Sequence, residues 1–327
     1  MPGCGTRTFV DPGDYEGDLR RAQIELVIVC RGEFKARLTW AELHHLHLLR
    51  SEEDLPRIGF LSLPPRLVFV AFPIGSGPSP LWGGSELQAG DIMLCRPGQR
   101  LHQVTTGPSI WGLMALEAAQ LEHYARLLSG KPLSPAQQGW LRPSSRGAAR
   151  LRRLHAQTCR LVETKPRILT HAEVARAIEE ALFQALVTCL TGAKVQQGGA
   201  IKRRHAQVMV RFEEALAEHL GEWFSIVELC ELIGVSEQTL RSCCGEFLGI
   251  SPGRYVLLRR LNRVRETLRN ADPKMVNVAE LARHSGFARL ERFAMAYRAV
   301  FGETPSDTLR RRAEKKFTSA TNFIKFG

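Results

Sequence analysis

Residues 225–268 read SIVELCELIGVSEQTLRSCCGEFLGISPGRYVLLRRLNRVRETL, and residues 277–312 read NVAELARHSGFARLERFAMAYRAVFGETPSDTLRRR. The second stretch repeats the pattern of the first. A Glu-Leu pair and the Gly that follows it recur at a spacing of 52 residues, and a Gly-x-x-Pro ending recurs at a spacing of 53. Each copy therefore predicts the same order of elements: a helix, a glycine turn, a second helix and a Gly-x-x-Pro ending.

The first copy carries the start and stop signals of two short helices. Ser225 and Glu228 have the spacing of a capping box, which predicts that a helix begins there. Gly234 stands where this helix must stop and turn sharply, a place for positive φ, and Ser236 can then cap the next helix. Two helices joined by so short a turn have the geometry of a helix-turn-helix unit.

The second copy and the segment between the copies carry matching signals. Asn277 with Glu280 predicts another capping box, and Gly286 predicts another sharp turn. The Ser-Pro pair at 251–252 predicts a helix with Pro at its first position, which continues to about Asn270. Such a helix spans roughly 27 Å, so it could hold two recognition helices about one DNA turn, roughly 34 Å, apart.

The side chains of these helices divide into core and surface. We expect the residues that match between the second helices of the two copies to be core: Leu240, Cys244, Phe293 and Tyr297. Cys243, beside Cys244, should complete a pair of small buried residues. Arg259 and Arg260 of the connecting helix are expected on a solvated face.

The composition is that of an ordinary folded protein with an excess of positive charge. The chain has 327 residues, 44% hydrophobic and 24% charged, and a formal net charge of +12 at pH 7. This length allows two domains. The charge favours an anionic partner, either nucleic acid or a membrane surface. The apolar runs are too short to span a bilayer, so we expect no membrane insertion.

The eight cysteines are scattered and form no Cys-x-x-Cys pair. The N-terminus lacks the basic-then-apolar pattern of a signal peptide. Free thiols in a reducing compartment fit this usage, so we expect a cytoplasmic protein, associated with the nucleoid if it binds DNA. We expect no metal, no cofactor and no catalytic residues, because no ligand spacing or reactive cluster stands out.

Outside the repeat, the pattern changes in zones. Residues 1–115 hold short apolar runs separated by Gly and Pro turns, which predicts a β-sandwich or a small barrel. Residues 116–192 repeat apolar residues at helical spacing, and residues 193–200 have the composition of a linker. Residues 201–316 read as helices, and a tail follows at 317–327.

The stretch at 170–190, THAEVARAIEEALFQALVTCL, carries an apolar stripe. Thr170 followed by Glu173 predicts a capping box at its start. The stripe could cover the sheet, or it could pair with its copy in a homodimer. We favour the dimer, because an exposed apolar stripe needs a partner.

The stretch AGDIMLCRPGQRLHQVT at 89–105 has a Gly-Asp, strand, Pro-Gly, strand, His pattern that resembles cupin-like barrels. His102, together with His44, His45 and His47, invites a metal interpretation. No second carboxylate or His lies at a clear ligand spacing, so we do not predict a metal site.

Three tryptophans of the N-terminal zone, Trp40, Trp82 and Trp111, could line an apolar ligand cavity. They could equally be core residues, and this is the interpretation that we favour.

Over roughly residues 205–312, the two copies resemble the C-terminal domain of the AraC/XylS regulators. The second copy carries the most recognisable signature of that family: A-x-x-x-GF, a helix, then Y-R-x-V-FG-x-x-P. The resemblance implies an α+β protein. An N-terminal cupin-like β-barrel with helices would form an effector-sensing and dimerisation domain over 1–192. An all-α double helix-turn-helix domain over 201–316 would bind DNA.

In this family the second helix of each unit enters the major groove. By family position, the first recognition helix, about 236–247, would contact DNA through Ser236, Gln238, Thr239, Arg241 and Ser242. The second, about 288–301, would do so through Arg289, Leu290, Glu291, Arg292, Met295 and Arg298. Gln reads adenine and Arg reads guanine, so the first set is chemically sensible.

The second set is less clear in its chemistry. Leu290 and Met295 stand where polar readers are often found in the family. They could contact a thymine methyl group. Alternatively, this helix could mainly grip phosphate through its arginines, which would position the domain without specifying a sequence.

The sequence therefore predicts a transcription regulator, not an enzyme, that binds double-stranded promoter DNA. As the resemblance implies, it would act as an activator with RNA polymerase, form a homodimer and respond to an unidentified small-molecule effector at the N-terminal domain. The alternative is a cupin-type enzyme with a helical appendage. That enzyme would need a metal triad or another reactive cluster.

Overall fold

The computed structural model describes residues 3–310 apart from 20, 21, 76, 131, 132, 134–138, 197, 198, 220–223 and 274. Internal contacts divide the chain into two compact units. Unit 1 comprises the residues up to Leu26 and Glu33–Ala206, and unit 2 comprises Val27–Gly32 and the residues from Gln207 onward. The predicted domain limits stay a prediction, and the predicted tail lies outside the described residues.

Unit 1 is built on two sheets. The hydrogen-bonded order of the first sheet is β1 (Cys4–Phe9), β3 (Ala36–Glu42), β4 (Leu46–Glu53), β11 (Ser109–Glu117), β6 (Leu67–Pro73), β9 (Ile92–Cys95), β12 (Gly139–Arg142) and β13 (Lys194–Gln196). The order of the second sheet is β2 (Gln23–Ile28), β5 (Arg57–Ser62), β10 (Arg100–Thr105), β7 (Leu81–Trp82) and β8 (Ser85–Glu86).

Both sheets have open ends among the described residues, so the N-terminal strands form two packed sheets and not a closed barrel. The rings of Trp82 and Trp111 meet edge to face across the space between the sheets, with centroids 6.1 Å apart. Together with the helical unit 2, this confirms the predicted α+β class.

Four helices belong to unit 1: α1 (Pro12–Asp18), α2 (Ala118–Ser129), α3 (Ser145–Thr164) and α4 (Ala172–Thr191). A 3₁₀ turn at Pro166–Thr170 precedes α4. The main core lies where α2, α3 and α4 cover the outer face of the first sheet. Alternate residues of β6, such as Val68 and Val70, point into this core. The intervening residue Phe69 borders a cavity on the opposite face.

Helix α4 is tied to the sheet by a buried carboxylate. Glu179 Oε1 accepts hydrogen bonds from the backbone N–H groups of His45 and Leu46, at 2.6 and 2.9 Å. On the same helix, Leu182 and Leu186 are fully buried in the core of unit 1. The apolar stripe therefore largely covers the sheet. Because the stripe is not exposed, it no longer supports the prediction of a homodimer.

The predicted capping box at Thr170 is wrong. Helix α4 begins at Ala172, its N-cap is His171, and this N-cap makes no side-chain capping bond. The hydroxyl of Thr170 instead donates to the carbonyl oxygen of Arg167, at 2.7 Å. The 3₁₀ turn has taken the place of the expected first helical turn, so the hydroxyl is used within it.

The predicted apolar runs correspond to β2, β5, β6, β9 and β11. Strands β12 and β13 were not predicted, and they pair with each other. Strand β13 lies within the segment 193–200 that was expected to be a linker. The sequence of β13 shows neither alternation nor enrichment in β-branched residues, so nothing local predicts a strand there. Its three residues are held in strand conformation by their pairing with β12.

The histidines of the N-terminal zone are dispersed. His44 and His45 are exposed in the turn between β3 and β4, whereas His102 is buried against the ring of Phe60, with ring centroids 4.8 Å apart. Among the described residues, no three His, Cys, Asp or Glu side chains lie close enough together to hold a metal ion. Within the same residues, no helix combines the length and the apolar content needed to cross a bilayer.

Candidate nucleic-acid interface

Unit 2 contains two helix pairs joined by a longer helix. Its helices are α5 (Ala200–Glu218, which begins in unit 1), α6 (Ile226–Ile233), α7 (Glu237–Leu248), α8 (Pro252–Asn270), α9 (Val278–His284) and α10 (Leu290–Phe301). Helices α6 and α7 form the first pair, and α9 and α10 form the second. The connecting helix α8 begins at the predicted Ser-Pro pair and ends at the predicted Asn270.

The first pair confirms each local signal of the sequence. Ser225 Oγ accepts from the backbone N–H of Glu228, at 3.2 Å, and the Glu228 carboxylate accepts from the Ser225 N–H, at 2.7 Å. The hydrogen bonds donated by Ser225 lower the pKa of Glu228 below its ordinary value. Gly234 ends α6 with φ 68°, and Ser236 Oγ accepts from the Thr239 N–H, at 3.1 Å.

The second pair follows the same plan with a longer turn. Asn277 Oδ1 caps α9 by accepting from the backbone N–H groups of Ala279 and Glu280, at 2.9 and 3.4 Å. Among the described residues, the Asn277 N–H does not donate to the Glu280 carboxylate, so only half of the predicted capping box forms. Gly286 has φ 81°, as predicted. Helix α10 begins at Leu290, two residues later than expected. Its N-cap, Arg289, makes no side-chain capping bond.

Each of the two turns is closed by a backbone hydrogen bond of the same kind. The N–H of Val235 donates to the carbonyl of Cys230, and the N–H of Phe287 donates to the carbonyl of Ala282, each at 3.0 Å. In each case the donor follows the glycine and the acceptor lies five residues earlier. A left-handed glycine makes this closure possible, because it reverses the chain within one residue.

Buried charges fix the connecting helix α8. Arg259 lies 3.1 Å from the carboxylate of Glu213 on α5, and Tyr255 donates to the same carboxylate, at 2.6 Å. The expectation that Arg259 lies on a solvated face is wrong, because its side chain is only 5% exposed. Toward the other end of α8, Arg265 pairs with Glu303, at 3.2 Å.

Helix α7 has one buried and one exposed face. The predicted core residues Leu240 and Cys244 are fully buried, and so is Cys243. Four of the five predicted contact residues are exposed: Ser236, Gln238, Arg241 and Ser242. The fifth, Thr239, is half-buried, and its hydroxyl lies 2.9 Å from Ser236 Oγ, within the helix cap.

Helix α10 divides in the same manner. Phe293 and Tyr297 are buried, as predicted. The side chain of Leu290 is half-buried, and the other five predicted contact residues are exposed: Arg289, Glu291, Arg292, Met295 and Arg298. Met295 is 65% exposed, so its side chain is accessible to a partner.

The exposed arginines of the two helices are free of ion pairs. Within the described part of the chain, no salt bridge involves Arg241, Arg289, Arg292 or Arg298. Their guanidinium groups carry donors that suit phosphate oxygens and the N7 and O6 atoms of guanine. Each helix therefore presents guanidinium groups that form no ion pair with a carboxylate that the structure describes.

Gly245 extends the exposed face of α7 and was not predicted. It lies one turn beyond Arg241 and Ser242, and apart from the neighbouring backbone of α7 no described atom lies within 4 Å of the place where its Cβ would be. The helical period of three to four residues that links Gln238 to Arg241 could have pointed to it. A position without a side chain lets the backbone of the helix approach a surface closely.

The C-terminal region of the chain is similar to known proteins. A family model described as a helix-turn-helix domain matches residues 229–311. The chain is 36% identical over 105 residues to XylDLEGF operon transcriptional activator 1 of Pseudomonas putida, which covers 32% of each chain. It is 33% identical over 95 residues to the probable thc operon regulatory protein of Rhodococcus erythropolis, which covers 29% of each chain. The chain thus spans about a third of the length of the curated relatives that it matches.

Two solved structures are also similar. A probable AraC family transcriptional regulator from Rhodopseudomonas palustris is 29% identical, with 32% of this chain and 97% of that chain covered and a TM-score of 0.30. The AraC-like transcriptional activator CuxR is 14% identical, with 86% and 100% covered and a TM-score of 0.43. Residues 229–311 of this chain match a helix-turn-helix domain, and over this region the chain is similar to AraC/XylS-type transcriptional activators.

Proposed function

We propose that this chain is a transcription regulator that binds double-stranded promoter DNA through α7 and α10. The observation that carries the proposal is the exposed face of each helix. Arg241 on α7 and Arg292 on α10 form no ion pair with any carboxylate that the structure describes, and both lie opposite the residues that pack the core. An α-helix fits the major groove of B-DNA, so two such faces can read two successive grooves.

The two helices would make different kinds of contact with DNA. Gln238, Arg241 and Ser242 carry donors and acceptors suited to base edges, so α7 would specify the sequence. The arginines of α10 would hold phosphate, and Met295 would meet a thymine methyl group. The N-cap residues Ser236 and Arg289 would contact the backbone at the groove edges, and Thr239, Leu290 and Glu291 would complete the contact sets.

The remaining parts of the proposal concern regulation. We propose that unit 1 binds a small-molecule effector, that the protein acts as a homodimer and that it activates transcription with RNA polymerase. Its relatives in Pseudomonas putida are named as transcriptional activators. A protein that binds chromosomal DNA would work at the nucleoid, in the cytoplasm. We propose no enzymatic activity.

Selection of DNA by the full chain tests the proposal. Genomic fragments retained by the purified protein would be sequenced, and the binding of an enriched fragment would be measured over a salt series. We expect a shared sequence among the retained fragments. We also expect an affinity that falls about 10³-fold or more between 50 and 200 mM salt, because phosphate contacts release counterions.

The matched control is the substitution Arg153→Ala, which removes an exposed arginine of α3 in unit 1. It should leave both the selected sequence and the salt dependence unchanged. Uniform weak retention of all fragments by the unmodified chain would contradict the proposal.

A further inference from the structure

A buried polar cluster lies between the two sheets of unit 1. Glu53 accepts from Arg57 Nε, at 2.6 Å, from Arg57 Nη2, at 2.9 Å, and from Trp111 Nε1, at 2.8 Å. Tyr15 donates to the same carboxylate, at 2.5 Å. Burial by itself would raise the pKa of Glu53, but the Arg57 charge and these hydrogen bonds lower it below the ordinary value. Glu53 and Arg57 are therefore a buried ion pair whose charges balance.

Two donors of this cluster are unused. Arg57 Nη2 donates to Gln103 Oε1, at 2.8 Å, whereas Arg57 Nη1 and Gln103 Nε2 have no hydrogen-bond partner among the described residues. Because Nη1 shares a carbon with Nη2, and Nε2 shares a carbon with Oε1, the two unused donors flank one hydrogen bond. Both residues are only 1% exposed. Buried donors without acceptors are rare in native proteins and costly.

The unused donors face the same interior as an apolar cavity. Residues 57, 59, 61 and 63 of the chain through β5 alternate onto one face, as do residues 101, 103 and 105 of β10. Leu61 and Leu101 line a cavity of about 20 Å³ together with Trp82 and Trp111. Gln103 lies on that same face and stands opposite Trp82 in the strand register.

Gly59 leaves room for the guanidinium of Arg57 on the strand face that carries Leu61. A Cβ at position 59 would lie 2.8 Å from Arg57 Nη1 and 3.7 Å from Leu61 Cδ1. The guanidinium thus lies over the glycine, along the strand, in the direction of the leucine that lines the cavity. The signal in the sequence is the alternation of RIGFLS, which places a charge, a glycine and a leucine on one face of a buried strand.

The cavity can grow, because a second one adjoins it. A cavity of about 30 Å³ shares the side chains of Leu49, Phe69 and Leu113 with the first, and it also borders the half-exposed residues Trp40 and Glu42. Each alone has room for about one water molecule. The leucines between the cavities can change rotamer, so a bound molecule could join the two spaces.

We infer that unit 1 binds a small uncharged molecule whose carbonyl oxygen accepts from Arg57 Nη1 and Gln103 Nε2 and whose apolar body lies in the adjoining cavity, against the wall that includes Trp82 and Trp111. A carbonyl oxygen has two lone pairs, one for each donor. A carboxylate would add an unbalanced negative charge to a buried, charge-neutral cluster, which is costly. This inference rests on the proposed effector site of unit 1 and names the chemistry of its ligand.

A series of three matched probes tests the inference on the full chain. Binding of cyclohexanone, methylcyclohexane and cyclohexanecarboxylate would be measured by calorimetry and by tryptophan fluorescence. We expect cyclohexanone to bind about ten-fold more tightly than either of the others, which is the effect of a net hydrogen bond to a buried group. Equal binding of the three, tighter binding of the carboxylate, or no binding of any probe would overturn the inference.

The substitution Gln103→Met removes the Nε2 donor, and with it the Oε1 acceptor of Arg57 Nη2, while it keeps the size of the side chain. Leu101→Met is its control on the same strand and cavity wall. Gln103→Met should reduce the preference for cyclohexanone over methylcyclohexane several-fold, whereas Leu101→Met should keep it. An unchanged preference in Gln103→Met would contradict the role of its amide.

Selection of DNA by the same preparations separates the two proposals. Sequence-selective binding without any probe binding would refute the ligand inference alone, and probe binding without DNA selection would refute the regulator.

Discussion

Gln238 and Arg241 lie on one exposed face of α7, a single helical turn apart. Leu240 and Cys244 on the opposite face are fully buried, so the helix cannot rotate without opening its core. This fixed rotation is what makes a base contact specific. A long side chain reaches the same base edge in every complex only if its backbone is held in one orientation.

The substitution Arg241→Ala should change sequence preference more than overall affinity. Loss of a guanidinium that reads guanine should cost about 1–3 kcal/mol at one position of the site. The measurement is a comparison of the sequences selected by the wild type and by the variant. In Arg298→Ala on α10, where we propose a phosphate contact, affinity should fall for all sequences alike. If Arg241→Ala selects the same sequence as the wild type, Arg241 does not read a base.

At the scale of elements, the turn between α6 and α7 depends on one conformation. Gly234 has φ 68°, a region that side-chain-bearing residues rarely adopt, and the next N–H closes the turn onto Cys230. Gly245, by contrast, lies within α7 and has open space where a Cβ would be. The chain therefore offers two glycines with opposite structural requirements within eleven residues.

Alanine at these two glycines should shift stability in opposite directions. Gly234→Ala should destabilise unit 2 by about 1 kcal/mol or more, because the left-handed conformation is strained for alanine. Gly245→Ala should stabilise it by about 0.5–1 kcal/mol, because alanine favours the helix interior. Urea unfolding followed by far-ultraviolet circular dichroism measures both. A gain of stability in Gly234→Ala would show that the turn does not need a glycine.

The elements that the sequence predicted well are those whose signals are local. Helix starts at Ser225 and Ser251 and the turn at Gly286 follow from hydrogen bonds within a few residues, and the structure confirms each of them. At Thr170 an equally local signal failed, because a hydroxyl can bond to its own turn as well as to a helix start. Local signals compete, and packing decides between them.

At the scale of the whole molecule, what the sequence did not show depends on partners far along the chain. The burial of Arg259 needs Glu213, 46 residues earlier, and the polar cluster of unit 1 needs Arg57 to meet Gln103 from another strand. Charged residues are expected on surfaces unless a partner is known. The exposed face of α7 could be predicted because a family resemblance supplied it, whereas no such guide existed for the interior of unit 1.

His155 gives unit 1 a built-in dependence on pH. This histidine of α3 is fully buried, and its ring Nε2 lies 3.1 Å from the carbonyl oxygen of Leu49 on β4. Burial lowers the pKa of His155 to about 4, despite the hydrogen bonds to the carbonyls of Leu49 and Leu113, and the charge of Arg50 lowers it further. The folded state thus holds the ring neutral at pH values where the unfolded chain has already bound a proton.

Stability should therefore fall as the pH falls from 6.5, the ordinary value, toward 4, because the unfolded chain gains a proton that the folded chain does not take up. Between pH 6.5 and 5, His155 alone should cost unit 1 about 2 kcal/mol, since each pKa unit corresponds to about 1.4 kcal/mol. The variant His155→Gln can still donate to the Leu49 carbonyl but does not titrate. Its free energy of unfolding should consequently change less with pH than that of the wild type.

Denaturant unfolding at several pH values, followed by tryptophan fluorescence, measures this difference, because four of the five tryptophans lie in unit 1: Trp40, Trp82, Trp111 and Trp140. Other titrating groups, including Glu53, are the same in both proteins and cancel in the comparison. Wild type and variant should differ by a constant amount above pH 7, where the ring is neutral in both states. If the difference stays constant down to pH 5 as well, the imidazole of His155 is not held neutral by the fold.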